Sequence, residues 1–186
     1  MIVLTGFGPF KNNKINLSSE IVQNFPSYIN NYRINKEILP VSWKNSIKIY
    51  KNLLKAITVT PKLVVLLGIH TGNNLRLERF GWNFKYGIDV ENTFKIGIIK
   101  FFFPFRIRTV LNITKIYSCL KNKINLSIST FPGFYLCNYL YYWAMYLSDQ
   151  KYPAIFIHIP SNGDVDEYTK KVELILKLVI KLHLDR

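Results

Sequence analysis

Three residues with side chains suited to nucleophilic catalysis lie far apart in this sequence, near the ends of apolar segments. Cys137 follows Gly133-Phe-Tyr-Leu, where a short apolar stretch gives way to an amphipathic pattern, so its thiol should lie at a helix N-terminus. The positive end of a helix dipole favours the thiolate form. His158 ends an apolar run, and Glu78 lies in the alternating segment Leu-Arg-Leu-Glu-Arg-Phe. Thiolate, imidazole and carboxylate together would form a nucleophilic system.

Each of these residues also has a structural interpretation. A cysteine taken alone is usually a small buried hydrophobe, and a histidine ending an apolar strand can belong to the core. Glu78 lies between Arg76 and Arg79, as in a surface ion pair. Cys119 has no comparable context and is interpreted as structural. The three residues alone therefore leave the catalytic interpretation open.

The elements that must position these residues alternate between apolar strands and amphipathic helices. Between Gly81 and Arg106 the pattern is irregular and predicts a hairpin with a loop. The expected strands are Ile2–Thr5, Tyr32–Leu39, Leu63–Leu67, Leu75–Phe80, Leu126–Thr130 and Ala154–His158. The expected helices run from Asn16 or Ser18 to Gln23 and over Trp43–Ile57, Ile107–Leu120, Tyr135–Leu147 and Asp166–Leu182.

This alternation predicts a three-layer α/β/α sandwich with a mixed, mostly parallel central sheet, formed as a single domain over residues 1–186. Sites in such sheets lie at the carboxyl ends of strands. A turn at Gly6, a loop at Gly68, the Pro132-Gly133 turn and His158 all fall at expected strand ends. We therefore expect them to converge on one crevice.

The composition narrows the classes of function. The formal net charge is +14, but the lysines are spread along the chain and no dense basic block appears. We therefore expect no specific nucleic-acid partner, although the charge keeps nucleoside or nucleic-acid handling as an alternative. The apolar run Ile96–Phe105 is too short to span a bilayer, which takes roughly 20 residues.

The cysteine usage and the N-terminus bear on compartment and cofactors. Two cysteines and scattered histidines give no metal-ligand spacing, and reduced thiols are expected rather than a disulfide scaffold. The N-terminal Met-Ile-Val-Leu-Thr-Gly has no basic stretch before its apolar run, unlike a signal peptide. We expect a cytoplasmic protein without membrane partners.

Five short motifs occur in a fixed order over essentially the whole chain. They are Thr5-Gly-Phe-Gly-Pro-Phe10 followed by Asn16, Leu39-Pro-Val41, Leu75-Arg-Leu-Glu78-Arg, Gly133-Phe-Tyr-Leu-Cys137-Asn and Phe156-Ile-His158-Ile-Pro160. In this order and spacing they resemble the motifs of type I pyroglutamyl peptidases. Any one of these motifs would be a weak signal, but five in order are specific.

The resemblance implies a cysteine peptidase that removes an N-terminal pyroglutamyl residue from peptides through a thioester. Cys137 matches the nucleophile of the family, and His158 matches its general base and acid. Glu78 matches the residue that orients and charges the imidazole. No metal or organic cofactor is implied.

The resemblance also implies a substrate pocket and a mode of assembly. Phe7 and Phe10 match the phenylalanines that line the pyroglutamate pocket, and Asn16 matches an asparagine beside it. Because family members associate, a homo-oligomer is expected, with Tyr141 and Trp143 as candidates for its surface.

Several positions differ from the family pattern. Gly8 replaces an acidic residue, Lys11-Asn12 replaces Gly-Gly, Leu17 stands where proline is common, and Phe131 begins an altered turn before the nucleophile. The region 89–108 is also shorter than usual. These departures support an alternative in which the chain keeps the fold but acts as a catalytically impaired binding or scaffold protein.

Overall fold

Strands and helices alternate through most of the chain. The computed structural model describes residues 1–10 and 15–185. The strands there are β1 (Ile2–Phe7), β2 (Tyr28–Ile29), β3 (Tyr32–Leu39), β4 (Leu63–His70), β5 (Leu75–Glu78), β6 (Phe80–Trp82), β7 (Phe84–Ile88), β8 (Phe94–Ile98), β9 (Arg106–Arg108), β10 (Leu126–Ser129) and β11 (Ala154–Pro160). The helices are α1 (Leu17–Asn24), α2 (Asn45–Ala56), α3 (Ile113–Leu120), α4 (Leu136–Ser148) and α5 (Val165–His183).

The central sheet has seven strands in the order β10-β5-β11-β4-β1-β3-β2. The neighbours β11 and β4, β4 and β1, and β1 and β3 are parallel. β5 runs antiparallel to β11 and carries β10 parallel to itself, and β2 is antiparallel to β3. The expected mixed, mostly parallel sheet is therefore confirmed.

Helices cover both faces of this sheet because its strands are apolar on both sides. One face of the strands packs with α1, α3 and α5, and the other packs with α2 and α4. Along β4 the side chains alternate between these two cores: Leu63 and Val65 face the first, and Val64 and Leu66 face the second. The expected three-layer α/β/α arrangement is confirmed.

The helix expected over Ile107–Leu120 is wrong in its first half. Residues 106–108 instead pair with β6 as a strand, and helix α3 begins only at Ile113. The Asn112 side chain accepts a hydrogen bond from the Lys115 N–H at 3.0 Å and so caps this later start. Buried Thr109 donates its hydroxyl to the Ala154 carbonyl at 2.6 Å, which ties the preceding segment to the sheet.

Several expected boundaries also shift. The strand expected over Leu75–Phe80 is interrupted at Arg79, whose N–H donates to the Ser129 carbonyl, and it resumes as β6 outside the main sheet. Gly6 and Gly68 lie inside β1 and β4 rather than in a turn and a loop. The expected hairpin in the irregular region is present as the antiparallel pair β7–β8.

Helix α1 begins where the sequence predicts. The Asn16 side chain accepts a hydrogen bond from the Ser18 N–H at 3.1 Å, which makes Asn16 the N-cap and places Ser18 within the helix. The departure at Lys11 and Asn12 lies outside the described residues.

Candidate active site

The register between β11 and β5 brings Glu78 to His158. Glu78 lies opposite Phe156 in this antiparallel pair, so His158, two residues further on, is its diagonal neighbour on the same face. The His158 Nδ1 and Glu78 Oε1 atoms are 2.8 Å apart. Both side chains are buried, with residue exposures of 6% for His158 and 1% for Glu78. An ionised carboxylate only accepts, so Nδ1 carries the proton of this bond.

The flanking arginines do not take part in this pairing. Arg79 donates its Nη2 to the Thr114 hydroxyl at 3.0 Å instead. Within the described chain, the ion pair recorded for Glu78 is the one with His158. The interpretation of Glu78 as part of a surface ion pair is therefore wrong.

Cys137 lies in the first turn of α4, on the face of the sheet that carries His158. The turn before it depends on Gly133, whose φ of +81° lies in the left-handed region that favours glycine. Cys137 also lies close above β4. A Cβ atom at position 68 would lie 2.9 Å from the Cys137 Sγ and 2.7 Å from the Phe156 ring, so the absence of a side chain at Gly68 admits the thiol.

The charge of His158 is set by its two partners. Burial acts to lower its pKa, but a hydrogen bond and the charge of Cys137, followed by those of Glu78, outweigh it and raise the pKa from 6.5 to about 9. Nδ1 faces Glu78, which leaves Nε2 for Cys137. The imidazole is therefore held as a cation at neutral pH, between a carboxylate and a sulfur atom.

A cavity opens beside Cys137. All three residues expected to form the substrate pocket line it, together with residues from the ends of β3, β4 and α4. Among the described residues, its lining comprises Phe7, Phe10, Asn16, Val41, Ile69, Tyr135, Leu136 and Cys137. The sequence-predicted pocket residues and nucleophile are thus brought to one place.

Asn16 shapes this cavity through its own hydrogen bonds. Its Nδ2 donates to the Gly8 carbonyl at 3.0 Å, and its Oδ1 accepts from the Ser18 N–H and from the Ser18 hydroxyl at 2.8 Å. Ser18 in turn accepts a hydrogen bond from the Phe7 N–H at 3.0 Å. This chain of bonds fixes the β1–α1 turn, including Gly8, around the Phe7 wall.

One aromatic position of α4 differs from the sequence interpretation, and the N-cap residue Tyr135 adds a second aromatic side chain at the site. Tyr141, a candidate for an oligomer surface, is fully buried and donates its hydroxyl to the Glu78 carbonyl at 3.0 Å. Tyr135 lines the cavity, and its hydroxyl donates to the Ile88 carbonyl at 2.7 Å. Burial raises the pKa of Tyr135 to about 12, so its phenol stays neutral.

Sequence reasoning missed Asn138 as part of the site, whereas His70, which follows a glycine at an expected strand end, was a candidate for the border of the cleft. Asn138 is fully buried and bonds the backbone of Trp82 and Phe84, so it anchors the start of α4. Its position beside the nucleophile was the available signal. His70 lies with its ring centroid 5.8 Å from that of His158. Its contact depends on the β4–β11 pairing, which one sequence does not reveal.

The described residues contain neither a metal-binding cluster nor a membrane-spanning helix. Among residues 1–10 and 15–185, no group of three or more His, Cys, Asp or Glu side chains is placed to hold a metal ion. None of the helices in that part of the chain has the length and apolar content needed to cross a membrane.

The fold and the site together define a class of protein. A thiol, an imidazole and a carboxylate connected in this order beside a cavity on an α/β/α sheet constitute the machinery of a cysteine hydrolase. Comparisons with known proteins then identify the family. The family model for pyroglutamyl peptidase matches residues 1–171.

Relatives and solved structures agree with this match. The pyrrolidone-carboxylate peptidase of Oceanobacillus iheyensis is 32% identical over 175 residues, which cover 87% of this chain and 84% of the relative. That of Lactobacillus acidophilus is 29% identical over 172 residues, covering 86% and 82%. The pyrrolidone carboxyl peptidase structure from Thermococcus litoralis has a TM-score of 0.91 at 26% identity, covering 100% of this chain and 96% of that one. The chain therefore belongs to the pyroglutamyl peptidase family, and the resemblance carried by its five motifs is confirmed.

Proposed function

We propose that this protein hydrolyses the amide bond after an N-terminal pyroglutamyl residue of peptides, with Cys137 as nucleophile, His158 as base and acid, and Glu78 as the residue that orients the imidazole. The observation that carries this proposal is the cavity shared by Cys137 with Phe7, Phe10 and Asn16. The connected triad supports a peptidase rather than a silent binding protein.

The chemistry uses the charges already present at the site. The Cys137 thiolate attacks the pyroglutamyl carbonyl carbon and forms a tetrahedral oxyanion. As the C–N bond breaks, His158 Nε2–H protonates the departing peptide amine, leaving a thioester on Cys137. A water molecule deprotonated by His158 then attacks the thioester, which releases pyroglutamate and regenerates the thiolate–imidazolium pair. Throughout, Glu78 accepts from Nδ1 and fixes the tautomer of His158.

The oxyanion requires hydrogen-bond donors at the start of α4. The N-cap residue, Tyr135, makes no side-chain cap to this helix, so backbone N–H groups of the first turn are suited to the role. One such donor is worth about 2.7–4 kcal/mol of transition-state stabilisation in comparable hydrolases.

The cavity walls suit a neutral lactam. Pyroglutamate has no free amine, so a flat apolar slot receives it better than a charged anchor would. Phe7, Phe10 and Val41 supply apolar surface, and Phe7 is itself almost fully buried at the end of β1. Asn16 acts by holding the Gly8 carbonyl and the turn in place. A prolyl residue lacks the lactam carbonyl, so the protein groups that hydrogen-bond this carbonyl would remain unpaired. This disfavours prolyl substrates.

The proposal extends to partners and compartment. Both cysteines are free thiols, which fits the reducing cytoplasm, where thiols stay reduced. The partners are peptides with N-terminal pyroglutamate, with no specific nucleic acid and no membrane. Residues 1–186 act as a single domain, and the chain assembles as a homo-oligomer.

The test is turnover of a fluorogenic pyroglutamyl amide by reduced protein. We expect release of the fluorophore, loss of turnover in Cys137→Ala, and retention in Cys119→Ala, because Cys119 is exposed and lies outside the cavity lining. The matching prolyl amide should turn over at least about tenfold more slowly. Absence of turnover by folded protein, or full turnover by Cys137→Ala, would refute the proposal.

A further inference from the structure

His70 ends β4, and both nitrogens of its ring are already bonded. The Gly72 N–H donates to Nδ1 at 3.0 Å, and Nε2 lies 2.8 Å from the Asn74 carbonyl oxygen. Since Nδ1 accepts, the proton must be on Nε2, which donates to Asn74. The ring is therefore held as one neutral tautomer by its own loop, residues 70–74.

The same ring packs against the catalytic imidazole. β4 and β11 are parallel neighbours, with His158 paired to Gly68 and Pro160 paired to His70. The His70 and His158 ring planes meet at 67°, edge to face, with centroids 5.8 Å apart. The Ser161 N–H donates to the His70 carbonyl at 2.9 Å and fixes the end of β11 to the end of β4. His70 thus forms one wall of the His158 position.

The loop that holds His70 is anchored on its far side. Asn74 donates its Nδ2 to the Ser127 hydroxyl at 2.7 Å, and Asn125 donates to the Asn73 carbonyl at 3.3 Å. Gly72 leaves room for the ring: a Cβ atom there would lie 2.5 Å from the His70 Cε1 atom. The placement of the ring is therefore determined by shape as well as by hydrogen bonds.

We propose that His70 is a positioning residue: its neutral ring, locked by the 70–74 loop, holds the His158 imidazole in line between Glu78 and Cys137. The inference rests on the catalytic roles proposed above. His70 takes no proton from the substrate itself, since both of its nitrogens are committed to the backbone of its own loop.

Protonation of His70 would undo this arrangement. A proton on Nδ1 would face the Gly72 N–H, donor against donor, and would place a cation beside the His158 imidazolium. Burial lowers the pKa of His70, as do the nearby charges of Arg76 and His158, against the raising effects of the Asn74 carbonyl and Glu78. His70 therefore stays neutral at neutral pH, and acid releases the loop.

The experiment measures alkylation of Cys137 by iodoacetamide in a Cys119→Ser background, because exposed Cys119 would otherwise react as well. Rates are followed by intact mass between about pH 4 and pH 9 for the parent, His70→Ala and His70→Asn. Asparagine keeps an acceptor for the Gly72 N–H but does not titrate. Loss of alignment of His158 should slow the reaction of Cys137 at pH 6 in His70→Ala by about tenfold or more.

The two variants separate positioning from a merely structural role. His70→Asn keeps an acceptor for the Gly72 N–H but loses the ring, so its neutral-pH rate should lie between those of the parent and His70→Ala. Its reactivity should fall off only at a lower pH than that of the parent, since the asparagine side chain cannot be protonated there. Gly72→Ala, whose Cβ displaces the ring, should behave as His70→Ala does and replaces it if His70→Ala does not fold. Unchanged rates and pH dependence in His70→Ala and Gly72→Ala would overturn the inference, as would an acid limb in His70→Asn identical to that of the parent.

This readout does not depend on the proposed substrate. Rapid alkylation of the parent with the expected loss in His70→Ala, but no turnover of a pyroglutamyl amide, would sustain the inference and refute the proposed function. Turnover of a pyroglutamyl amide, together with alkylation rates that do not change when His70 is substituted, would support the proposed function and refute the inference about His70.

Discussion

His158 lies in the middle of the site, and its neighbours decide its charge. Burial alone would lower the pKa of this imidazole, yet the pKa rises to about 9 because Cys137 and Glu78 both favour the cation. In the proposed mechanism, the protonated ring is the acid that the departing amine requires. The arrangement thus prepares the acid before substrate arrives, and it couples the charge of the nucleophile to that of its partner.

The first prediction concerns alkaline pH. Because the folded-state pKa of His158 is raised from 6.5 to about 9, its bound proton stabilises the fold fully below pH 6.5, and that contribution is lost as the pH rises to about 9. We expect kcat/KM for a pyroglutamyl amide to decline over the upper end of the same range, since the imidazolium disappears. Steady-state rates and thermal unfolding measured at matched pH values test both effects.

The same prediction has an internal control. Cys137→Ala removes the partner with the largest raising effect, so the pKa of His158 should fall when it is titrated by NMR in that variant. Cys119→Ala should leave the titration unchanged. A His158 pKa that is indifferent to Cys137 would show that the two side chains are not coupled.

The second prediction concerns Gly68. Its alanine variant would place a methyl group 2.9 Å from the Cys137 Sγ and 2.7 Å from the Phe156 ring, so the nucleophile must shift. We expect kcat/KM to fall by about 100-fold or more, because small misplacements of reacting groups are costly. Gly8→Ala is the matched control for folding, since its Cβ meets Ile38 at an ordinary 3.7 Å and the melting temperature should not change. Near-normal turnover in a folded Gly68→Ala protein would contradict this account of Gly68.

The sequence was more informative about the side chains of the proposed triad than about the residues that make room for them. Cys137 and His158 could be found because each lies at the junction of an apolar run with a different pattern. Gly68 and His70 could not be assigned roles, because both act across neighbouring strands whose pairing and register appear only in the fold. The expectation that Tyr141 lies on an oligomer surface is wrong for the same reason. Helical spacing shows which residues share a face of α4, but it does not show which element packs against that face.

At the scale of elements, strand patterns were easier to interpret than the connection from β5 to α3. Continuous apolar runs predicted β4 and β11, which are buried on both faces. The run Ile107–Leu120 looked helical because apolar residues continue through it. Its first residues instead extend along β6, and the capping side chain of Asn112 sets the true helix start. Pairing with a distant strand overrode the local periodicity.

The third prediction concerns the anchoring of α4 by Asn138. This fully buried side chain accepts from the Trp82 N–H at 2.7 Å and donates to the Trp82 and Phe84 carbonyls, each at 2.8 Å. Asn138→Ala leaves those backbone groups without these bonds, at a cost of about 1–3 kcal/mol for each group left unsatisfied. We expect a clearly lower free energy of unfolding in urea, together with reduced turnover because Cys137 is the adjacent residue.

An exposed asparagine provides the comparison for this variant. Asn24 donates to the Glu20 carbonyl at 2.9 Å from the solvent-facing end of α1, and Asn24→Ala should change the free energy of unfolding only slightly. Equal, small effects of the two substitutions would rule out an anchoring role for Asn138.

At the scale of the whole molecule, the segment after β8 carries several exposed aromatic side chains. The exposed fractions of Phe101, Phe102 and Phe105 are 71%, 104% and 62%. Asn83 holds this segment in place, donating to the Lys100 carbonyl at 2.8 Å and accepting from the Lys100 N–H at 2.8 Å. An ordered loop that presents several phenylalanines to water is unfavourable in an isolated chain.

The last prediction follows from this surface. Tyr141 is buried and Trp143 is only partly exposed, so we expect the more exposed 101–105 segment to supply the main contact of the expected homo-oligomer. Phe102→Asp combined with Phe105→Asp should then shift the mass measured by light scattering toward that of one chain. Val59→Asp, at an isolated exposed apolar residue, should leave the mass unchanged. If the parent protein has the mass of one chain at all concentrations, it does not form a homo-oligomer and the prediction is wrong. Equal masses for the parent and the double variant, above that of one chain, would assign association to another surface.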